Sequence, residues 1–166
     1  MENLFITIAC IALILLGTVS YASSSLSSAD AITNSFKNAL ERAGEISRTD
    51  IRATVATTAV DGSAVEITLS NDGTTSLRNF SRWDVIVMYQ DGDTVWVPYA
   101  AATAPTWSDN GTFLDGSPDV FEPGILNPAE TLKINVRLSS AVADNSTNLA
   151  VISTANGVKT QIAFVH

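Results

Sequence analysis

The chain opens with LFITIACIALILLGTVSYA (residues 4–22), an apolar run of nineteen residues that contains no charged side chain. An α-helix of nineteen residues is about 28 Å long, close to the roughly 30 Å hydrocarbon thickness of a bilayer. Apolar residues occupy every side of such a helix, so the run predicts a helix that is buried all round. Its surroundings are either lipid or copies of itself.

The apolar run differs from a secretory signal peptide. A signal peptide begins with a basic segment and has an apolar core of roughly 7–15 residues, whereas the first basic residue here is Lys37. Ala22-Ser23-Ser24 resembles a cleavage site, which keeps a signal peptide as an alternative. The positive-inside rule would place the basic residues after the run in the cytoplasm. A domain rich in β-pattern and possible glycan acceptors fits the cytoplasm poorly. Removal of a basic leader would resolve this conflict, so we expect Met1 to begin a processed chain.

A second helical pattern follows the apolar run. No proline interrupts residues 1–50, and Gly44 with residues 47–50 marks the helix end. We therefore predict one helix over residues 1–49, roughly 70 Å long, and an outer β-domain over residues 50–166. The second half of this helix is amphipathic and must lie against another surface. The apolar positions of that half recur at steps of three and four, at Leu26, Ala29, Ile32, Phe36, Leu40 and Ala43.

Beyond residue 50 the apolar period changes to two, which is typical of β-strands. Residues 83–89 are apolar at both alternating sets, which predicts a central strand, and Asn156-Gly157 is a favoured type I′ turn pair. Residues 100–129 hold four of the five prolines and little periodicity, so we predict a long surface excursion there. The predicted strands cover residues 51–60, 65–69, 83–89, 95–99, 131–138, 148–154 and 158–165.

Seven short strands at this spacing predict an antiparallel β-sandwich of the immunoglobulin type. The expected fold class is therefore α+β, with a long N-terminal α-helix followed by an antiparallel Ig-like β-sandwich. Leu77 and Phe80 are expected to anchor the irregular segment between two strands. The predicted core consists of Val55, Val65, Ile67, Leu69, Trp83, Val85, Val87, Val97, Leu132, Ile134, Val136, Val151, Ile162 and Phe164.

Composition and chemistry exclude several classes of function. The net charge of −8 argues against nucleic acid, whose phosphates need a basic patch. Cys10 is the one cysteine, so no intrachain disulfide forms, and we interpret it as a packing residue. His166 is the one histidine and the last residue, which leaves no His-based triad and no His-rich metal site. We therefore expect no enzyme, no catalytic residues and no cofactor.

Carboxylates cluster in two predicted loops. Oxygen-rich loops of this kind can hold Ca²⁺. Acidic residues in surface turns are more often simply solvated, and the spacing matches no EF-hand, so we predict no metal site. The two clusters are Asp91 with Asp93, and Asp109 with Asp115, Asp119 and Glu122.

Three N-x-[ST] sequons fall in predicted loops, at Asn79, Asn110 and Asn145. In an exported chain each is a candidate for N-glycosylation. Asn79 is the weakest candidate, because we expect Phe80 beside it to be buried.

A long helix, apolar and then amphipathic, followed by one β-sandwich resembles the type IV pilin superfamily. Within it the chain is most similar to archaellins, the subunits of the archaeal swimming filament, and to related archaeal-type pilins. Position 5 is Phe5, where many bacterial type IV pilins carry glutamate, so the bacterial branch fits less well. NDGTTSLRNFSRWDVIV (residues 71–87) also looks like the strand-loop-strand of archaellum sandwich domains, including the accessory stator proteins.

The resemblance implies a structural subunit of an extracellular, cell-surface motility filament. Such a subunit lies in the membrane before assembly and then forms a homopolymer through its helix. The resemblance also implies a cleaved leader, and insertion by an assembly ATPase and a polytopic membrane protein. The expected polymerisation residues are Leu4, Phe5, Ile8, Ile11, Leu13, Leu15, Leu16, Val19, Leu26, Ile32, Phe36 and Leu40.

Two other functions remain as alternatives. The first is a membrane-anchored archaellum stator or envelope-binding protein, in which the helix stays in lipid and the sandwich binds a fixed partner. The second is an anchored enzyme, which is weak because the sequence supplies so few catalytic groups. The amphipathic extension favours the filament subunit, since a plain anchor has no need of about 25 further helical residues.

Overall fold

The structure is a computed structural model that describes the backbone of residues 2–166 and the side chains of residues 6–21 and 23–166. It divides into two compact units, one that ends at Ala43 and one that comprises Gly44–His166. The sequence-based fold class is confirmed, since one long helix precedes antiparallel sheets in a sandwich-like arrangement. The elements are α1 (Glu2–Arg48), β1 (Ile51–Thr58), β2 (Ala64–Asn71), a 3₁₀ turn (Phe80–Arg82), β3 (Asp84–Met88), β4 (Thr94–Val97), β5 (Thr106–Leu114), β6 (Ser117–Pro118), β7 (Thr131–Arg137), β8 (Thr147–Ser153) and β9 (Lys159–Val165).

Helix α1 is continuous over 47 residues although its middle is rich in serine and threonine. Such residues usually weaken a helix because their hydroxyls compete for the backbone. Here the hydroxyls bond back to carbonyls one turn earlier. The Ser27 hydroxyl donates to the Ser23 carbonyl at 3.0 Å, and the Thr33 hydroxyl donates to the Ala29 carbonyl at 2.9 Å. These groups are therefore satisfied without leaving the helix.

Two antiparallel sheets form the sandwich. Their strand orders are β1-β2-β7-β5-β6 and β4-β3-β8-β9. Alternation along each strand sends one set of side chains inward, as in β2 and β7, where Val65 pairs with Val136 and Ile67 with Ile134. The core formed between the sheets contains Ile51, Val65, Ile67, Leu69, Leu77, Phe80, Trp83, Val85, Val87, Val97, Trp107, Leu126, Leu132, Ile134, Val136, Leu138, Val142, Ala150, Ile152 and Phe164.

Three predicted core positions differ from this set. Val55 is 54% exposed, because a bulge between Ala53 and Val55 shifts the register of β1. Val151 is half-buried on the outer side of its sheet, between the buried Ala150 and Ile152. Ile162 is partly buried and packs against the rim of the core. The predicted anchors Leu77 and Phe80 are both buried, as expected.

The predicted surface excursion over residues 100–129 is wrong in its middle. Residues there form β5, which pairs with β7, and Trp107 in β5 is 1% exposed. The sequence does not predict this strand, because a second register shift, between Asp109 and Thr112, breaks its alternation. The predicted type I′ turn is also wrong. Gly157 has a φ of 89° but Asn156 does not have a positive φ, whereas a type I′ turn needs both.

A turn at residues 71–74 joins β2 to the end of α1. The amides of Asp72 and Gly73 donate to the Asp50 carbonyl, and the Thr74 amide donates to the Arg48 carbonyl at 2.9 Å. Asn71 is fully buried, and its amide group donates to the carbonyls of Thr75 and Leu126 at 2.8 and 3.0 Å. The Asn71 side chain therefore holds this turn against the segment that precedes β7.

Gly73→Ala tests this turn. A Cβ at residue 73 would lie 2.5 Å from both the Arg48 carbonyl oxygen and the Asp50 amide nitrogen, so backbone would have to move. We expect a destabilisation of about 1–3 kcal/mol, typical of overpacking, measured by thermal unfolding of the β-sheet circular dichroism signal. Thr74→Ala, at the exposed neighbouring residue, should stay within about 0.5 kcal/mol of the unmutated chain. Equal stability of the two variants would contradict this account.

Candidate assembly surfaces

The first candidate surface is the apolar segment of α1. Its side chains are exposed, including Leu13 at 69%, and α1 is the one helix among the described residues that is long and apolar enough to cross a membrane. Leu4 and Phe5 lie outside the residues whose side chains the structure describes. The predicted polymerisation residues that the structure does describe in this segment are all exposed: Ile8, Ile11, Leu13, Leu15, Leu16 and Val19.

The second candidate surface is the apolar stripe further along α1, formed by Leu26, Ile32, Phe36 and Leu40. All four side chains are exposed, and Phe36 is 65% exposed. At 100° per residue they fall within an arc of roughly 120°. Lys37 borders this arc and forms an exposed pair with Glu41 at 3.9 Å, whereas Arg42 and Glu45 lie on the far side of the helix. The stripe is thus an apolar surface that is exposed to solvent in the single chain.

The three sequon asparagines are all exposed, but they differ in backbone setting. Asn79 and Asn145 have positive φ values of 58° and 59° in connecting segments. Asn110 lies inside β5, at the irregular register between Asp109 and Thr112, so the expectation of a loop was wrong there. Phe80 is buried beside Asn79, as expected. Glycosylation of the three sites stays a prediction.

Three of the clustered carboxylates accept hydrogen bonds from groups close to them in the fold, and one of these, Asp109, lies in β5 and not in a loop. Asp119 accepts hydrogen bonds from the amides of Phe121 and Glu122, and Asp91 accepts one from the Asp93 amide. Asp109 accepts a hydrogen bond from the Tyr99 hydroxyl, and this bond, with burial, raises the pKa of Tyr99 to about 12. Among the described residues, no group of three or more His, Cys, Asp or Glu side chains is placed to hold a metal ion.

An open cavity of about 670 Å³ lies at the end of the sandwich where the β3–β4 turn meets the segment before β8. Tyr89, Asp91, Asp93 and Asp144 are among its lining residues. The Tyr89 hydroxyl donates to the Ser140 carbonyl at 3.3 Å, and burial raises the pKa of Tyr89. The lining supplies carboxylates and hydroxyls but pairs no nucleophile with a histidine base, since His166 is the chain's one histidine and is not part of the lining.

No protein-family model matches this sequence, and no curated protein matches it. Solved structures of archaellum components do match the fold. The archaellum periplasmic stator protein FlaG from Sulfolobus acidocaldarius has a TM-score of 0.58 and 23% identity, covering 70% of this chain and 99% of that chain. A chain of the FlaF–FlaG stator complex from the same organism gives 0.57 and 23%, covering 69% and 87%.

The archaeal flagellum of Methanospirillum hungatei matches over a longer range. Its TM-score is 0.64, and the match covers 99% of this chain and 93% of that chain, so it includes the long helix. The identity is 10%. At these identities the comparisons establish a shared fold, which is a long helix with a sandwich of the kind found in archaellum components.

Phe36→Ala tests the apolar stripe. If the stripe packs against other helices, truncating a buried Phe costs about 3–5 kcal/mol. The dissociation constant for oligomers of the full chain in mild detergent should therefore rise at least a hundredfold. Membrane pelleting should not change, because residues 4–22 are intact. Analytical ultracentrifugation measures the first quantity and membrane fractionation the second.

The matched control for the stripe is Arg42→Ala, an exposed residue about 140° around the helix from the centre of the stripe. It should leave self-association within about twofold of the unmutated chain. An unchanged association of the Phe36→Ala chain would mean that the stripe is not an assembly surface.

Proposed function

We propose that this chain is a structural component of an archaellum, held in the cytoplasmic membrane by α1 and acting through its β-sandwich outside that membrane. Two observations support the proposal together. One is an uncharged helical segment about as long as a bilayer is thick. The other is a sandwich fold shared with archaellum components. Among the described residues, no nucleophile is paired with a histidine base and no cluster of side chains is placed to hold a metal ion.

The role that we propose first is that of a membrane-anchored, stator-type protein. The observation that carries it is the match of the sandwich to FlaG, which spans 99% of that chain at 23% identity. The filament match has 10% identity. In this role the helix stays in lipid, where its apolar surface is stably buried, and the sandwich makes the contacts with fixed parts of the cell envelope.

The second candidate is the filament subunit that the sequence favours. The observation in its favour is the match over 99% of this chain to the archaeal flagellum, at the higher TM-score. In this role α1 leaves lipid and packs among the helices of other copies, and the sandwiches form the outer layer. The apolar stripe would then be covered along with the apolar segment, so little apolar surface would meet water in either state.

Deletion of the gene from the source cell separates the two roles. A stator anchors the machine but is not the polymer, so we expect the deletion strain to bear filaments and to fail to swim. Electron microscopy of sheared material and motility in soft agar are the two readouts. The restored chain should then be found with the membrane and be released by detergent.

Two other outcomes would contradict the stator role. Loss of all filaments on deletion, with the restored chain as the main protein of the sheared fraction, would establish the second candidate. Normal filaments with normal swimming would remove both archaellum roles.

A further inference from the structure

Two Asn-Gly pairs occur in the sandwich, and their side chains have different surroundings. Asn110-Gly111 lies in β5, and Asn156-Gly157 lies in the turn between β8 and β9. Asparagine followed by glycine is an especially reactive pair, because glycine has no Cβ to hinder the approach of its backbone nitrogen to the side-chain amide. The two pairs share this local chemistry, so any difference in reactivity between them comes from the fold.

The Asn110 side chain is unrestrained. It is exposed, and among the described residues no hydrogen bond or ion pair engages it. The register of β5 with β7 shifts between Asp109 and Thr112. Asn110 and Gly111 therefore have no paired residue on β7, and the regular ladder is interrupted at this point. Gly111 is also exposed, so water reaches both groups of this pair.

The Asn156 side chain, by contrast, is held at both of its polar atoms. Its amide group donates to the Thr49 hydroxyl at 2.8 Å, and its side-chain oxygen accepts a hydrogen bond from the Thr154 hydroxyl at 2.5 Å. The backbone amide of Gly157, the equivalent of the reactive nitrogen at Gly111, donates to the Thr154 carbonyl at 2.9 Å. These hydrogen bonds must break before the second pair can react.

We propose that Asn110 is a site of spontaneous deamidation, whereas the fold protects Asn156. Water or hydroxide takes the proton of the Gly111 amide, and the nitrogen then attacks Cγ of Asn110 to form a new N–Cγ bond. The Cγ–Nδ2 bond breaks, and Nδ2 leaves as ammonia with a proton supplied by water. The product is a five-membered cyclic imide. This step needs close contact between the nitrogen and Cγ, which a mobile side chain at an interrupted ladder allows.

Water then opens the imide in one of two ways. Attack at Cγ breaks the new bond and leaves an aspartate at this position. Attack at the main-chain carbonyl carbon breaks its bond to nitrogen and leaves an isoaspartate, in which the main chain runs through Cγ. Each route consumes one water and releases one ammonia in total. No oxidant, reductant or enzyme takes part.

Both products change the surface of the sandwich at β5. Each places a new negative charge beside Asp109, in a chain whose net charge is already −8. Each also removes the amide that makes Asn110 a candidate for N-glycosylation. Deamidation and glycosylation of this side chain therefore exclude each other, and the deamidated fraction rises with the age of an unglycosylated molecule.

Mass spectrometry of the full chain in mild detergent tests the proposal, with protein made in a host that lacks N-glycosylation. The folded protein is kept in H₂¹⁸O at mildly alkaline pH, so each residue that deamidates gains one heavy oxygen. Deamidation during later digestion in ordinary water lacks this label. We expect the rate at Asn110 to exceed the rate at Asn156 roughly tenfold or more, because the hydrogen bonds of Asn156 must break first. The rate at Asn110 should rise with pH, since the attacking nitrogen must lose its proton.

Three controls show whether the fold causes the difference. Thr49→Val removes the hydroxyl that accepts from the Asn156 amide, so the rate at Asn156 should rise severalfold while the rate at Asn110 stays within about twofold. Unfolding in urea should bring the two rates to within about threefold of each other, because both side chains are then unrestrained. Asn110→Gln, an exposed substitution that lengthens the side chain by one carbon, should abolish the label at residue 110.

Two outcomes would overturn the inference. One is a rate at Asn156 equal to or above the rate at Asn110 in the folded chain. The other is the absence of labelled product at Asn110 while the chain unfolded in urea reacts at both pairs, which would show that β5 protects this residue as well. Membrane anchoring and assembly play no part in the experiment, so either result leaves the proposed function as it stands.

Discussion

The structure depends on the burial of one uncharged helical segment, residues 4–22, and the side chains described within it, those of residues 6–21, are exposed in the single chain. Lipid satisfies this constraint because the segment closely matches the hydrocarbon thickness and because every backbone group is bonded within the helix. Contact with other copies of α1 satisfies it equally well. The two proposed roles differ chiefly in which of these surroundings is permanent. Both leave the sandwich outside the bilayer, where its core between two sheets supplies its own stability.

The apolar stripe on α1 follows the same physical rule at a smaller scale. Its four side chains are exposed in the single chain, so only contact with another surface removes them from water. Membrane anchoring favours such contacts, because copies held in one plane meet at high effective concentration.

Much of the fold could be predicted from the sequence, and the exceptions have physical causes. Helix α1 and strands β2 and β7 follow from uninterrupted patterns such as residues 131–138, where one side is core and the other is solvent. Strand β5 could not be predicted, because residues 106–114 read as turn-like polar residues and its register shift breaks the period of two. Val55 was misplaced by a bulge of the same kind. Both sides of β3 are apolar, which predicted a central strand, and β3 does lie between two other strands of its sheet. The sequence could not reveal that the outer side of β3 is left partly exposed in the sandwich. The expected polymerisation residues on α1 whose side chains the structure describes are exposed, and what covers them stays a prediction.

The most direct test of the central claim, that the apolar segment of α1 is buried in the native assembly, uses the chain's own cysteine. Cys10 lies within that segment and is exposed in the single chain. A water-soluble, membrane-impermeant maleimide is applied to cells that display the native protein, before and after solubilisation in denaturing detergent, with Ser108→Cys on the exposed part of β5 as the accessible reference. The account predicts that Ser108→Cys is labelled at once, whereas Cys10 is labelled only after solubilisation. Rapid labelling of Cys10 in intact cells would show that the segment is in water and would contradict the account.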